Sequence, residues 1–146
     1  MTDTDLIQQI REIVGDRGVL IGEDVSNRSC DPFRQVPAQS PVIVRPASTE
    51  EVSQVVALCH RLGQRIVTHG GRTGVSGGAY ACSSEIILSL ERMHRIEEIC
   101  PTTQLAVAEA GVTIEALQNA VAEHGLSYPI DLNSKGTATV GGTIAT

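Results

Sequence analysis

The residues best suited to chemistry in this chain are His69-Gly70-Gly71-Arg72-Thr73-Gly74-Val75-Ser76-Gly77-Gly78-Ala79, where five glycines fall within eleven positions. Glycine has no Cβ and accepts conformations closed to other residues. Closely spaced glycines can therefore turn several backbone N–H groups toward one point. Such a concavity binds anions, phosphate above all. Thr73 and Ser76 add hydroxyl donors, and Arg72 adds a permanent positive charge. The chemistry is that of a diphosphate cradle, although a flexible surface loop has the same composition.

Two standard phosphate motifs are excluded. No Gly-x4-Gly-Lys-Ser/Thr is present, so this is not a nucleoside-triphosphatase loop. Gly71, Gly74 and Gly77 are spaced by three, and the small polar run Ala79 to Ser84 precedes a strand, not a helix. A Rossmann fingerprint must open a helix.

A second segment runs Tyr128-Pro129-Ile130-Asp131-Leu132-Asn133-Ser134-Lys135-Gly136-Thr137-Ala138-Thr139-Val140-Gly141-Gly142-Thr143-Ile144-Ala145-Thr146. Five Ser/Thr hydroxyls and a Gly-Gly pair follow Asn133, enough to bring main-chain donors to a polar ligand. Composition alone favours the plainer reading, a turn-rich connection into a helix. The cysteines (Cys30, Cys59, Cys82, Cys100) form no Cys-x-x-Cys pair and have no histidine at zinc-finger spacing, so they read as free thiols. Of the four histidines only His69 adjoins the glycines; it reads first as a loop residue and second as a cofactor contact.

Regular elements must hold these loops in place. Apolar residues at Leu6, Ile7, Ile10, Ile13 and Val14 predict a helix, with Asp3 or Thr4 as N-cap and Gly15 as stop. Val19-Leu20-Ile21 is a short strand, and Glu23 to Gln39, with Pro32 and Pro37, is a polar surface loop. Pro41-Val42-Ile43-Val44-Arg45-Pro46 is a strand between prolines. Ser48 and Glu51 form a capping box opening a helix that stops at Gly63, and Arg65 to Thr68 is the next strand. This is a compact βαβ unit with parallel strands, and the glycines sit at the C-terminal end of its second strand, where α/β arrangements bind ligands. Further strands are expected at Glu85 to Leu90 and, as an antiparallel hairpin, within 94–110; Thr113 then caps a helix ending near His124-Gly125.

The chain has 146 residues, 41% of them hydrophobic and 19% charged, with net charge −6, values of a globular domain with a modest core. An acidic balance and 2% aromatic residues argue against nucleic acid as a partner. No apolar run reaches membrane-spanning length, and no apolar signal region follows the acidic start, so the expected location is the cytoplasm, with peripheral attachment to the inner membrane left open. The abrupt stop at Thr146 leads us to expect the front part of a longer protein or a truncated relative.

The two glycine segments and the order of strands resemble the flavoprotein superfamily of vanillyl-alcohol oxidase and p-cresol methylhydroxylase. The likeness is carried by Pro41 to Val52, Gly70 to Gly78, Leu88-Ser89-Leu90-Glu91-Arg92-Met93, Glu109-Ala110-Gly111-Val112, and Asp131-Leu132 through Gly141-Gly142-Thr143-Ile144-Ala145-Thr146. Within that superfamily the chain is most similar to the branch of D-lactate dehydrogenases, the glycolate oxidase D subunit and D-2-hydroxyglutarate dehydrogenases. The resemblance implies an α+β, two-subdomain FAD-binding fold of the p-cresol methylhydroxylase (PCMH) type, its first βαβ subdomain complete and its second truncated. Residues 1–40 would be an N-terminal helix and loop, and 41–146 the incomplete FAD-binding domain.

The resemblance also implies roles. Gly70, Gly71, Arg72, Thr73, Gly74, Ser76 and Gly77 match the pyrophosphate loop; Pro129, Asp131, Leu132, Ser134, Thr139, Gly142 and Thr146 match a second FAD-lining segment. Members that tether FAD here carry a histidine where Ser76 stands, so noncovalent FAD is expected. The substrate domain, with its catalytic histidine and metal site, has no counterpart here, so no catalytic or metal residue is assigned and the chain alone is expected to be inactive. The implied whole enzyme oxidises a D-2-hydroxy acid by hydride transfer to FAD and passes electrons to an acceptor protein or quinone. Two alternatives stay open: a non-catalytic or decayed FAD-binding fragment, and a flavoprotein like UDP-N-acetylenolpyruvoylglucosamine reductase.

Overall fold

The computed structural model describes residues 3–31, 33 and 36–145. In chain order the elements are α1 (Asp3–Val14), a 3-10 turn (Asp16–Gly18), β1 (Val19–Leu20), α2 (Glu23–Ser26), β2 (Ile43–Val44), α3 (Thr49–Leu62), β3 (Arg65–His69), β4 (Glu85–Ser89), β5 (Ile96–Cys100), β6 (Leu105–Ala108), α4 (Ile114–Ala122) and α5 (Val140–Ile144). Four strands form a sheet in the order β1-β2-β4-β3. β2 and β3 both run parallel to β4, and β1 is antiparallel to β2. The expected parallel unit is therefore present, but β4 lies between its two strands.

The sheet is buried on both faces, and the period of two sorts its residues. Val42, Val44, Ile86 and Leu88 face α1 and α3, where they meet Leu6, Ile10, Val14, Val55, Leu58 and Cys59. Ile43 and Ile87 face the other way, against Val25, Cys30, Ala38 and Ala81. Val25 belongs to α2, a single helical turn inside the stretch expected to be loop throughout; burying this one valine ties the turn to the core. α1 spans Asp3–Val14, so Thr4 lies inside the helix and is not its N-cap; the expected cap at Asp3 falls on a side chain outside those described. α3 opens as the sequence requires: Ser48 Oγ accepts from the Glu51 N–H at 3.2 Å, while the Glu51 carboxylate accepts from the Ala47 N–H at 2.7 Å.

β5 and β6 form a separate antiparallel pair. α4, capped by Thr113 Oγ1, packs Leu117 and Val121, together with Val112 just before the cap, onto that hairpin with Ile96, Ile99 and Ala108. Gly111 joins the two parts. A Cβ there would stand 2.1 Å from the Leu90 carbonyl oxygen and 2.5 Å from that of Met93, so only glycine permits this approach. Among the described residues no helix is long and apolar enough to cross a membrane.

Candidate functional site

β3 carries the chain to His69, and the glycine segment begins at the strand's C-terminal end. The second segment is pinned against it by the start of α4. The N–H groups of Ile114 and Glu115 donate to the carbonyls of Ala138 and Lys135 at 2.9 and 3.0 Å, and that of Ala116 to Thr113 Oγ1 at 3.2 Å. The first amides of α4 are thus taken up by residues 135–138 and not by an anion. α5 follows: Thr139 Oγ1 accepts from Gly142 N–H at 3.4 Å, and the Val140 and Gly141 amides donate to the carbonyls of Val112 and Ala110.

The two segments touch through glycines. A Cβ on Gly71 would lie 2.0 Å from the Thr137 carbonyl oxygen, and one on Gly70 would lie 2.6 Å from Thr139 Oγ1. Gly74 and Gly78 differ: a Cβ on either would meet nothing within 4 Å. They border a cavity of about 340 Å³ between the segments. Gly70, Gly71, Arg72 and Thr139 also border a second cavity of about 500 Å³, reaching toward Glu91, His94 and Thr113. Both volumes suit small-molecule sites.

Among the described residues, no main-chain carbonyl or side chain accepts from the amides of Gly70 to Ala79. Gly70, Gly71, Arg72, Thr73, Gly77 and Ala79 are half-buried, where amides normally find partners, so their unpaired amides beside a cavity suit an incoming acceptor; Gly74, Val75, Ser76 and Gly78 are exposed. The lining of the smaller cavity adds the hydroxyls of Thr68, Thr73, Ser76, Ser134, Thr139 and Thr143. It contains Arg72 as its only charged residue and no carboxylate among the described residues, although the chain as a whole is acidic. Arg72 takes φ +55°, the left-handed region rarely occupied outside glycine, and its Nη1 donates to the Ser29 carbonyl at 3.2 Å. Its guanidinium therefore ties the loop to the N-terminal segment as well as charging the cavity.

The surroundings of the loop are braced by ion pairs. Arg28 grips Glu91 with both terminal nitrogens, and Arg45 Nη1 reaches the same carboxylate at 3.0 Å. The hydrogen bond from Arg28, outweighing burial, holds the Glu91 carboxyl down at about 2. Tyr80 Oη donates to Asp31 Oδ2 at 2.6 Å, joining the far end of the glycine segment to residues 29–31. His69 is 2% exposed, and its Nε2 lies 2.8 Å from the Ala79 carbonyl oxygen.

Of the residues singled out in sequence, Gly70, Gly71, Arg72, Thr73, Gly74, Ser76, Leu132, Ser134, Thr139 and Gly142 border the smaller cavity. Gly77 borders a different hollow with Asp31, Phe33, Val75 and Tyr80. Pro129 and Asp131 are exposed and border neither cavity between the segments, and Thr146 lies outside the described residues. Thr68, Gly78, Ala79, Ala138 and Thr143 also border the cavity and were assigned no cofactor-binding role from the sequence. Glycine spacing alone could have extended the reading to Gly78.

A family model described as an FAD binding domain matches residues 40–146. The chain belongs to the FAD-binding domain family. It is 41% identical over 104 residues to the D-2-hydroxyglutarate dehydrogenase of Xanthomonas citri pv. viticola, covering 71% of this chain and 22% of that protein. It is 32% identical over 142 residues to the mitochondrial D-2-hydroxyglutarate dehydrogenase of Bos taurus, covering 97% of this chain and 26% of that one. Among solved structures it matches p-cresol methylhydroxylase with substrate bound, at TM-score 0.76 and 25% identity, over 97% of this chain and 29% of that chain. The fold is thus the PCMH-type FAD-binding fold, and FAD is the family's cofactor. The chain spans about a quarter of the length of these relatives.

Proposed function

We propose that residues 70–79 and 132–143 hold the diphosphate of FAD between them, and that the chain is the FAD-binding portion of a flavin-dependent oxidoreductase acting on a D-2-hydroxy acid of the 2-hydroxyglutarate type. The supporting observation is the run of amides that, among the described residues, are unpaired and lie beside a cavity lined by no carboxylate. Each charge-assisted hydrogen bond from an amide or hydroxyl to phosphate contributes roughly 1.5–3 kcal/mol. Three or four such bonds, with Arg72 nearby, anchor the dinucleotide.

When bound, FAD supplies the hydride-accepting chemistry. This chain's residues orient and hold it. Gly74 and Gly78 leave room for close approach, Thr73, Ser76 and Ser134 offer hydroxyls at the rim, and Thr139 braces the second segment. Ser76 cannot form the tether that a histidine would, so the flavin is held noncovalently. In the whole enzyme an acceptor protein or a quinone takes the electrons onward.

The test is to mix the purified protein with FAD, pass it through gel filtration and record the visible spectrum of the protein peak. A flavin band travelling with the protein, and released by acid precipitation, supports the reading. Flavin eluting only as the free compound refutes it.

A further inference from the structure

The glycine segment leaves the sheet at His69 and returns to the core near Ala81. Of the nine residues Gly70 to Gly78 at the start of this excursion five are glycine, and the amides of these nine make no main-chain bond among the described residues. A segment so rich in glycine loses much conformational entropy when held in one shape. Something must set the separation of its ends.

We infer that His69 is the positioning residue of this segment: its buried imidazole, donating from Nε2 to the Ala79 carbonyl, clamps the two ends of the loop and so holds the amides of Gly70 to Gly78 around the cavity. The inference rests on the reading of that loop as an FAD phosphate cradle. A carbonyl oxygen only accepts, so Nε2 must carry the proton, which fixes the neutral tautomer. The backbone of His69 is itself anchored, since its carbonyl accepts from Leu90 N–H at 3.0 Å and it stands in register with Ser89. One jaw of the clamp is therefore a sheet residue and the other is the last residue of the loop. The other ties, from Arg72 to Ser29 and from Tyr80 to Asp31, join the loop to a neighbouring segment, and Ala81 packs into the core beyond it; among the described residues the bond from His69 joins the loop's own two ends directly. Burial holds the imidazole below its ordinary titration range, outweighing the hydrogen bond to Ala79, which acts the other way; the guanidinium groups of Arg72 and Arg28 reinforce burial and the carboxylate of Glu91 opposes it.

The experiment uses two readouts, tryptic cleavage after Arg72 inside the loop and FAD affinity by flavin fluorescence. His69→Leu removes the donor and keeps the bulk. His69→Gln restores one donor and one acceptor near the ring nitrogens. The leucine variant is expected to be cut after Arg72 about tenfold faster and to bind FAD about tenfold more weakly, the loss of one buried hydrogen bond. The glutamine variant is expected to stay close to the parent in both. Should the leucine variant not fold, His69→Asn, whose amide falls short of Ala79, takes its place with the same expectation. A leucine or asparagine variant that matches the parent, or a glutamine variant as impaired as leucine, overturns the inference. If the parent itself binds no FAD while cleavage still follows the expected order, the cradle reading fails and the clamp stands.

Discussion

Replacing Gly71 and Gly74 by alanine, separately, distinguishes a glycine needed for packing from one needed for a ligand. At Gly71 the new Cβ would sit 2.0 Å from the Thr137 carbonyl oxygen, 2.7 Å from its carbon and 3.0 Å from Ala138 Cα. All three are backbone atoms, so no side chain can swing aside, and the two segments must part by more than 1 Å to reach ordinary contact. Forcing a methyl into such a space costs about 1–3 kcal/mol. With a urea dependence of about 1–2 kcal/mol per molar for a domain of this size, the unfolding midpoint should fall by roughly 1 M. The same displacement opens the cavity, so FAD affinity should fall as well. At Gly74 nothing lies within 4 Å and φ is not in the left-handed region. Stability should therefore stay level or rise by about 0.5 kcal/mol, because alanine restricts the unfolded chain. FAD affinity should still drop, since the methyl projects where a phosphate would approach. Urea titration followed by circular dichroism, beside flavin titration, reads both quantities. A Gly71→Ala protein unfolding with the parent, or a Gly74→Ala protein binding FAD undiminished, would refute the division of labour.

The remaining predictions concern charge and capping. Glu91 titrates at about 2 in the fold against an ordinary 4.5, so its contribution to stability is complete above pH 4.5 and is lost as the pH falls toward 2. The full shift is worth about 3 kcal/mol, and with its side chain 33% exposed we expect about 1–2 kcal/mol after screening; Glu91→Gln should lose this at pH 7 and show a flatter acid limb in urea titrations. His69 is also depressed, by burial, so the neutral form is the folded one: stability should be complete above about pH 6.5 and decline as the pH falls below it, a loss that begins at higher pH than that of Glu91. Thermal melts between pH 5 and 8 should show that slope in the parent and lose it in His69→Gln. Thr139→Val removes the hydroxyl that caps α5 and should cost about 1 kcal/mol with weaker FAD binding, whereas Thr139→Ser should keep most of both in the same titrations.

What the sequence made legible is what local chemistry decides. The capping box at Ser48 and Glu51, the strands bounded by proline and glycine, and the hairpin within 94–110 each depend on neighbours a few residues away. The glycine segment was readable as a candidate cradle from residue type, whereas composition left the hydroxyl-rich segment a turn-rich connection, and only the family resemblance paired the two. The insertion of β4 between β2 and β3 was not readable: the chain gives the order of strands in time, and their order in the sheet depends on which apolar faces α1 and α3 cover. Glu91 meets Arg28 and Arg45 across 63 and 46 residues, and no local pattern marks such a meeting.

The glycines show most clearly where residue type stops being informative. In sequence Gly70, Gly71, Gly74 and Gly78 are equivalent. In the structure two of them vanish into contact with Thr137 and Thr139, and two open onto empty space. The contact pair brings the second segment close enough to form a wall, and the open pair leaves room behind that wall. A loop of uniform flexible glycines would have offered amides without a partner wall, and a loop of uniformly packed ones would have offered a wall without room. Because the packed pair precedes the open pair along the chain, the segment meets the wall first and widens into the cavity afterwards, and the clamp at His69 and Ala79 spans both. If the segment binds FAD as proposed, binding and packing depend on the same eleven residues, and a substitution that harms only one of them is the informative one.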